Sequence, residues 1–255
     1  MARQKGIITL VGTLGGINFY VDKINTKKGN EAPARIKGGG FTSERIKNDP
    51  KMKRVLENSS EFGHCSALLK AFRRGLEGFF PEHHFKYLHR RLMTLFSALK
   101  KLDTVHRRGE RRVGEGLQDP YGKHLLHTHT FTPQCDVYTV LPFDIQYDPE
   151  SFCTQITQMD VGVIPFPSGA THVQLRYGIL EFDFDSTAWV RHIAAPIQLS
   201  REDTVSSLQL TPTTLPQGIG EPLAVLGVDF LQEINGTFYT LRSEQSAGFC
   251  LLPCQ

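Results

Sequence analysis

The apolar residues of this chain change period near residue 125, from the three- and four-residue steps of an amphipathic helix to the two-residue alternation of a half-buried strand. That switch limits the fold more than any other feature. Upstream, Met52, Val55, Leu56, Phe62, Cys65, Leu68, Leu69, Phe72, Leu76 and Phe79 form one stripe, which Pro81 interrupts. Phe85, Leu88, Leu92, Leu95, Phe96, Leu99 and Leu102 form a second, so the two segments are expected as an antiparallel helical hairpin. Asp49 before Pro50 supplies a cap and a fixed φ for the first helix, and Ser43 is a candidate cap for a short turn before it. The stretch Gly6 to Tyr20 reads as two short strands around Gly15-Gly16, followed by a glycine-rich loop through Gly38–Gly40 expected to be mobile.

Downstream, strands are expected at 127–131, 137–141, 151–158, 161–166, 172–182, 188–194, 205–210, 223–233, 237–241 and 248–252. Asn235-Gly236 between two of them is a hairpin signal, because both residues tolerate the positive φ of a type I′ turn. Short strands at this spacing point to a sandwich or barrel. The expected class is therefore α+β: an N-terminal β-hairpin and helical hairpin over 1–115, then a mostly antiparallel β-sandwich over 116–255. The arginine- and glycine-rich run from His106 to Pro120 is the expected linker.

Charge follows the same division. Residues 1–125 hold 25 Lys and Arg against 12 Asp and Glu, a net +13, whereas residues 126–255 hold 4 against 14, a net −10. The first half should attract polyanions and the second repel them. The cations expected on outward helix faces and in the linker are the candidate contacts for a polyanion or protein partner: Lys51, Lys53, Arg54, Lys70, Arg73, Arg74, Arg90, Arg91, Lys100, Lys101, Arg107, Arg108, Arg111 and Arg112. Lys86 shares the second helical segment. Phe19, Tyr20, Phe41 and Tyr87 accompany them as surfaces on which bases could stack, although no RNA- or DNA-binding signature is present.

No run of about 18 apolar residues occurs, which excludes a transmembrane helix. Met1 to Tyr20 is interrupted by Gly6, Gly12, Gly15 and Gly16 and reads as structure, not as a signal peptide, so cytoplasmic localisation is the default and unconventional export stays open. Five cysteines, at 65, 135, 153, 250 and 254, show no zinc-ribbon spacing and read as free thiols in a reducing compartment, with Cys250 and Cys254 able to bridge if oxidised.

Several segments resemble a family of uncharacterised proteins from Bacteroidota. They are Arg3–Ile7 with Gly12–Tyr20, Arg45–Pro50, Arg54–Gly63 and, near the end, Leu226–Gly236. The resemblance covers both ends and much of the first hundred residues, and it implies no catalytic residue.

The sharpest chemical motif is His127-Thr-His129, since two histidines two apart on a strand would share one face and could hold a metal as a hydrolase does, with Asp136, Asp183 and Asp185 as carboxylate candidates. His127-Thr-His-Thr130 also superficially resembles the opening of metal-dependent phosphoesterases of the polymerase-and-histidinol-phosphatase type. Pro133-Gln134-Cys135 stands where that resemblance implies Ser-Asp-Gly, however, and only His172 and His192 follow as further imidazoles. Neither glycine cluster precedes Lys-Ser/Thr in phosphate-loop spacing, so no nucleotide cofactor is implied. Cys65 falls on the apolar stripe and reads as core, while His83, His84 and His89 read as a solvated helix face. These residues support a non-enzymatic structural or interaction protein that forms a homo-oligomer through charge-polarised surfaces. Nucleic-acid binding by the basic half is the alternative, and a metal-dependent hydrolase at His127 and His129 is third.

Overall fold

The structure is a computed structural model that describes residues 2–4, 10–20, 32–36 and 42–253. Gly38–Gly40, Phe41 and Cys254 lie outside the described residues. The fold is α+β, and the chain divides into compact units at 1–56 and 57–255. Residue 115, where a boundary was expected, falls within a helix of the second unit.

In the first unit β1 (Ala2–Gln4), β2 (Gly12–Leu14), β3 (Ile17–Phe19) and β4 (Ala32–Ile36) form an antiparallel sheet in the order β1-β4-β3-β2. Gly15, at φ 58°, turns the expected hairpin. Helix α1 (Ser43–Asn48) is capped one residue earlier than expected, by Thr42, whose side chain accepts from the Arg45 N–H. Asp49 accepts from the Lys51 N–H ahead of Pro50, and the single turn Pro50–Met52 leads into α2 (Lys53–Glu77).

The α2 stripe is buried at Cys65, Leu68, Leu69, Phe72 and Leu76. Extrapolating it upstream fails, because Leu56 and Phe62 are exposed and Glu61 takes the inward position one turn before Cys65. Helix α3 (Leu88–Leu99) returns antiparallel to α2, Phe72 meeting Phe96 edge-on at 5.5 Å. The residues beyond α3 are structured too: α4 (Val113–Gln118) and α5 (Pro120–His127) replace the expected linker, and α6 (Val137–Val140) follows. Asp119 before Pro120 and Asp136 cap α5 and α6 by accepting backbone N–H bonds.

The remainder is strand-rich, with β5 (Asp144–Asp148), β6 (Cys153–Thr157), β7 (His172–Phe182), β8 (Trp189–Ile193), β9 (Ile197–Ser200), β10 (Ser207–Leu210), β11 (Glu221–Ile234), β12 (Thr237–Thr240) and β13 (Ala247–Leu251). All pairings are antiparallel. One sheet has the order β10-β6-β5 and the other β12-β11-β7-β8, with β13 also on β11 and β9 also on β7. Asn235 and Gly236 make the β11–β12 turn at φ 52° and 78°. Three segments expected as strands are not: 127–131 begins at the end of α5 and continues as coil, 137–141 contains α6, and 161–166 opens with a helical turn at Val161–Val163.

Alternation along β7 and β11 divides the core into two. Leu180, Phe182, Leu223 and Val225 pack with α2, α3, α4 and α5, while Val173, Leu175, Tyr177, Ile179, Ala224, Leu226, Val228 and Phe230 pack with Tyr147, Ile156 and Leu210 of the smaller sheet. Residues one apart in a strand face opposite ways, so the helices cover one face of the large sheet and the small sheet covers the other. Gly178 and Gly227 admit the residues after α2 to the helical face: a Cβ would lie 2.8 Å from the Phe79 ring at Gly178, and 2.1 Å from the Phe80 ring at Gly227. Among the described residues no helix is long and apolar enough to cross a membrane.

Candidate functional site

The expected cations separate into groups. Lys51, Lys53 and Arg54 are exposed and belong to the first unit. In the second, several are committed internally. Lys100 donates to Glu61 at 2.6 Å, Arg111 donates to the same carboxylate at 2.8 Å, and the Gly109 N–H adds a third bond at 2.8 Å. Burial alone would raise the Glu61 pKa, yet the bonds from Arg111, Lys100 and Gly109 outweigh it and hold the carboxyl at about 2. Arg107 forks onto Glu110, and Arg108 reaches Asn58 and Glu57. The Arg112 N–H, with those of Val105 and His106, donates to buried Asp103, although the Arg112 residue remains exposed. The expected linker is therefore tied to α2 by buried Glu61 and folded on itself by buried Asp103.

Lys70, Arg73 and Arg74 instead converge with His89 around a cleft of about 300 Å³, which Ser66, Leu69 and Glu77 complete. Arg73 lies 3.8 Å from Glu77, one turn away, while Arg90 and Lys101 are exposed elsewhere on the helical layer.

A second concavity, of about 570 Å³, forms where the α2–α3 connection meets residues 132–134 and the β12–β13 connection. It is lined by Glu82, His83, Phe85, Lys86, Arg91 and Arg242, among others. Behind it, alternation puts Arg176 of β7 and Asp229 of β11 on the helical face of the sheet. Arg176 Nε donates to Asp229 Oδ2 at 2.8 Å and a terminal nitrogen donates to Glu82 at 3.0 Å, so two strands and the helical connection are pinned together. His83 Nε2 lies 3.6 Å from the same Asp229 oxygen, its side chain only 6% exposed. Neither His83 Nε2 nor Asp229 Oδ1 has a hydrogen-bond partner among the described residues. Arg91 belongs here too, because it lines the cavity and donates to the carbonyls of Lys86 and Phe131.

Sequence reasoning missed this constellation. His83 is in the turn between α2 and α3, not on a solvated helix face, and Asp229 is hidden in a strand whose other residues read as plain core. The only available signal was a carboxylate and an arginine at inward positions of two apolar strands.

The His-x-His motif does not form the expected strand pair. His127 ends α5 and His129 follows in coil, edge-on to Phe131 at 5.0 Å. Burial pushes both imidazoles below their usual range, and nearby Arg91 lowers His129 further. The other candidates are engaged elsewhere: His192 lies between Glu181 and Thr214, His172 beside Thr171, and Asp183 accepts from the Asp185 and Ser186 N–H groups. Among the described residues no group of three or more His, Cys, Asp or Glu could hold a metal ion. No protein-family model matches the chain, nor does any curated protein or solved structure.

Proposed function

We propose that the protein is a non-enzymatic interaction protein whose copies associate head to tail through oppositely charged faces. The observation that carries this reading is the placement of exposed charge on opposite faces of the large sheet. On the small-sheet side Asp144, Asp148, Glu150 and Asp160 are exposed, and no Lys or Arg occurs anywhere in β5, β6 or β10. The helical layer exposes Lys70, Arg74, Arg90 and Lys101. Such poles steer encounter and set orientation, while exposed ion pairs by themselves add little affinity, so packing at the contact must supply the rest. Sedimentation of nuclease-treated protein at low ionic strength should reveal concentration-dependent oligomers that dissociate as salt rises. A strictly monomeric particle at tens of micromolar rejects the reading.

The cleft of Lys70, Arg73, Arg74 and His89 favours a second reading, in which the helical layer grips nucleic-acid phosphates. If about six to ten cations made such contacts, affinity would fall roughly 10³- to 10⁵-fold between about 50 and 200 mM salt. A flat salt dependence removes it.

A further inference from the structure

The cavity at the α2–α3 connection has the makings of a ligand site, separate from the charged outer faces. Its volume of about 570 Å³ falls within the range of roughly 300–1,000 Å³ usual for small-molecule pockets. One part is apolar, because Phe85 lines it and packs edge-on against Phe80 at 5.3 Å and Phe249 at 5.2 Å. The charged lining is unevenly matched. Glu82 is taken by Arg176 at 3.0 Å and Glu244 lies 3.7 Å from Lys86, so Arg91 and Arg242 are left without a carboxylate among the described residues. Two backbone carbonyls already fix one end of the Arg91 guanidinium, which lowers the entropy cost of presenting its other N–H groups. His83 is nine-tenths buried and lines the same space; with Nε2 turned inward onto Asp229, Nδ1 is the ring nitrogen left for the cavity.

We propose that this cavity binds a small organic anion, with a carboxylate or phosphomonoester head held by Arg91, Arg242 and His83, and an apolar body against Phe85. The cations supply charge, His83 supplies direction, and the Arg176–Asp229 pair lies behind the imidazole, 3.6 Å from its Nε2.

Calorimetric titration of the full chain with phenyl phosphate, benzoate, inorganic phosphate and neutral benzyl alcohol tests the assignment. At least one aryl anion should bind one per chain, more tightly than either inorganic phosphate or benzyl alcohol, and the comparison of phenyl phosphate with benzoate identifies the preferred head. Arg242→Gln and His83→Gln should each weaken binding about tenfold or more, whereas Lys101→Gln, outside the cavity, should not. Arg242 is exposed, so its replacement keeps the test decisive even where His83→Gln fails to fold. Absence of binding by both aryl anions at about 10 mM, or affinity unchanged in Arg242→Gln, overturns the proposal. Inorganic phosphate binding as tightly as phenyl phosphate overturns the apolar half of the site.

Discussion

Lys100 Nζ donates to Glu61 Oε2 at 2.6 Å, which puts an ion pair into the inward stripe of α2, where Glu61 is 2% exposed. Replacing the carboxylate by an isosteric amide would leave the Lys100 and Arg111 cations facing a neutral group, and breaking a buried pair from one side costs roughly 3–5 kcal/mol. Glu61→Gln should lose about that much in urea unfolding at neutral pH. Because the folded pKa of about 2 lies below the ordinary 4.5, the contribution is fully present above 4.5 and is lost as pH falls from there toward 2. Asp103, lowered by its backbone N–H donors against the opposing effect of burial, steepens the same acid limb. The gap between wild type and Glu61→Gln should therefore shrink in unfolding curves at pH 3.

Two helical glycines predict opposite signs. A Cβ on Gly116 in α4 would lie 2.0 Å from the Leu99 carbonyl oxygen, a backbone atom that cannot yield unless the helices part. Gly116→Ala should cost roughly 2 kcal/mol or more. Gly63, exposed in the middle of α2, has nothing within 4 Å of the same position, so Gly63→Ala should stabilise by about 0.5–1 kcal/mol through the lost freedom of the unfolded chain. Thermal midpoints of the two variants separate these effects.

Thiol reactivity should follow burial. Burial pushes Cys135 and Cys250 up to about 12 and raises Cys65 as well, while Cys153 is only half-buried. A thiol titrating near 12 is about one part in 10⁴ thiolate at pH 8, and the thiolate is the reacting form. Mass spectrometry after brief alkylation of folded protein should therefore find Cys153 modified well before Cys65, Cys135 and Cys250.

The elements read correctly from sequence are those whose signal was long or doubly marked. His172–Phe182 combined length with β-branched and aromatic residues, and Asn235-Gly236 fixed the turn after β11. Short apolar runs misled because four or five residues cannot separate period 2 from period 3.6. Val137-Tyr-Thr-Val140 is rich in strand formers but follows Asp136, whose side chain caps it as a helix; Pro120–His127 carried an Asp-Pro start equal to that at Asp49-Pro50. The basic run after α3 resembled a linker because its order comes from Glu61, far off on α2, and from Asp103 just ahead of the run, which composition does not mark as a buried acceptor. For the same reason composition did not distinguish Lys100 and Arg111, spent on Glu61, from Lys70 and Arg74, which face the cleft.

If opposite poles bring copies together, reversing either pole alone should prevent association and combining the two reversals should restore it. Asp144→Lys, Glu150→Lys and Asp160→Lys together make the small-sheet side net cationic like the helical layer, and Lys70→Glu, Arg74→Glu and Arg90→Glu together make the helical layer net anionic like the small-sheet side; all six side chains belong to exposed residues, so the fold should tolerate the changes. Each variant alone then meets mainly like charge, which costs association rate first and affinity second. Mixed in equal amounts, the cationic and anionic proteins again offer opposite faces to each other and should alternate in the assembly. Light scattering of the separate and mixed variants at low salt reads the outcome directly. Association of either variant alone to the wild-type extent would mean that packing, not polarity, sets the contact, and a mixture that stays monomeric would mean that these six residues lie outside it.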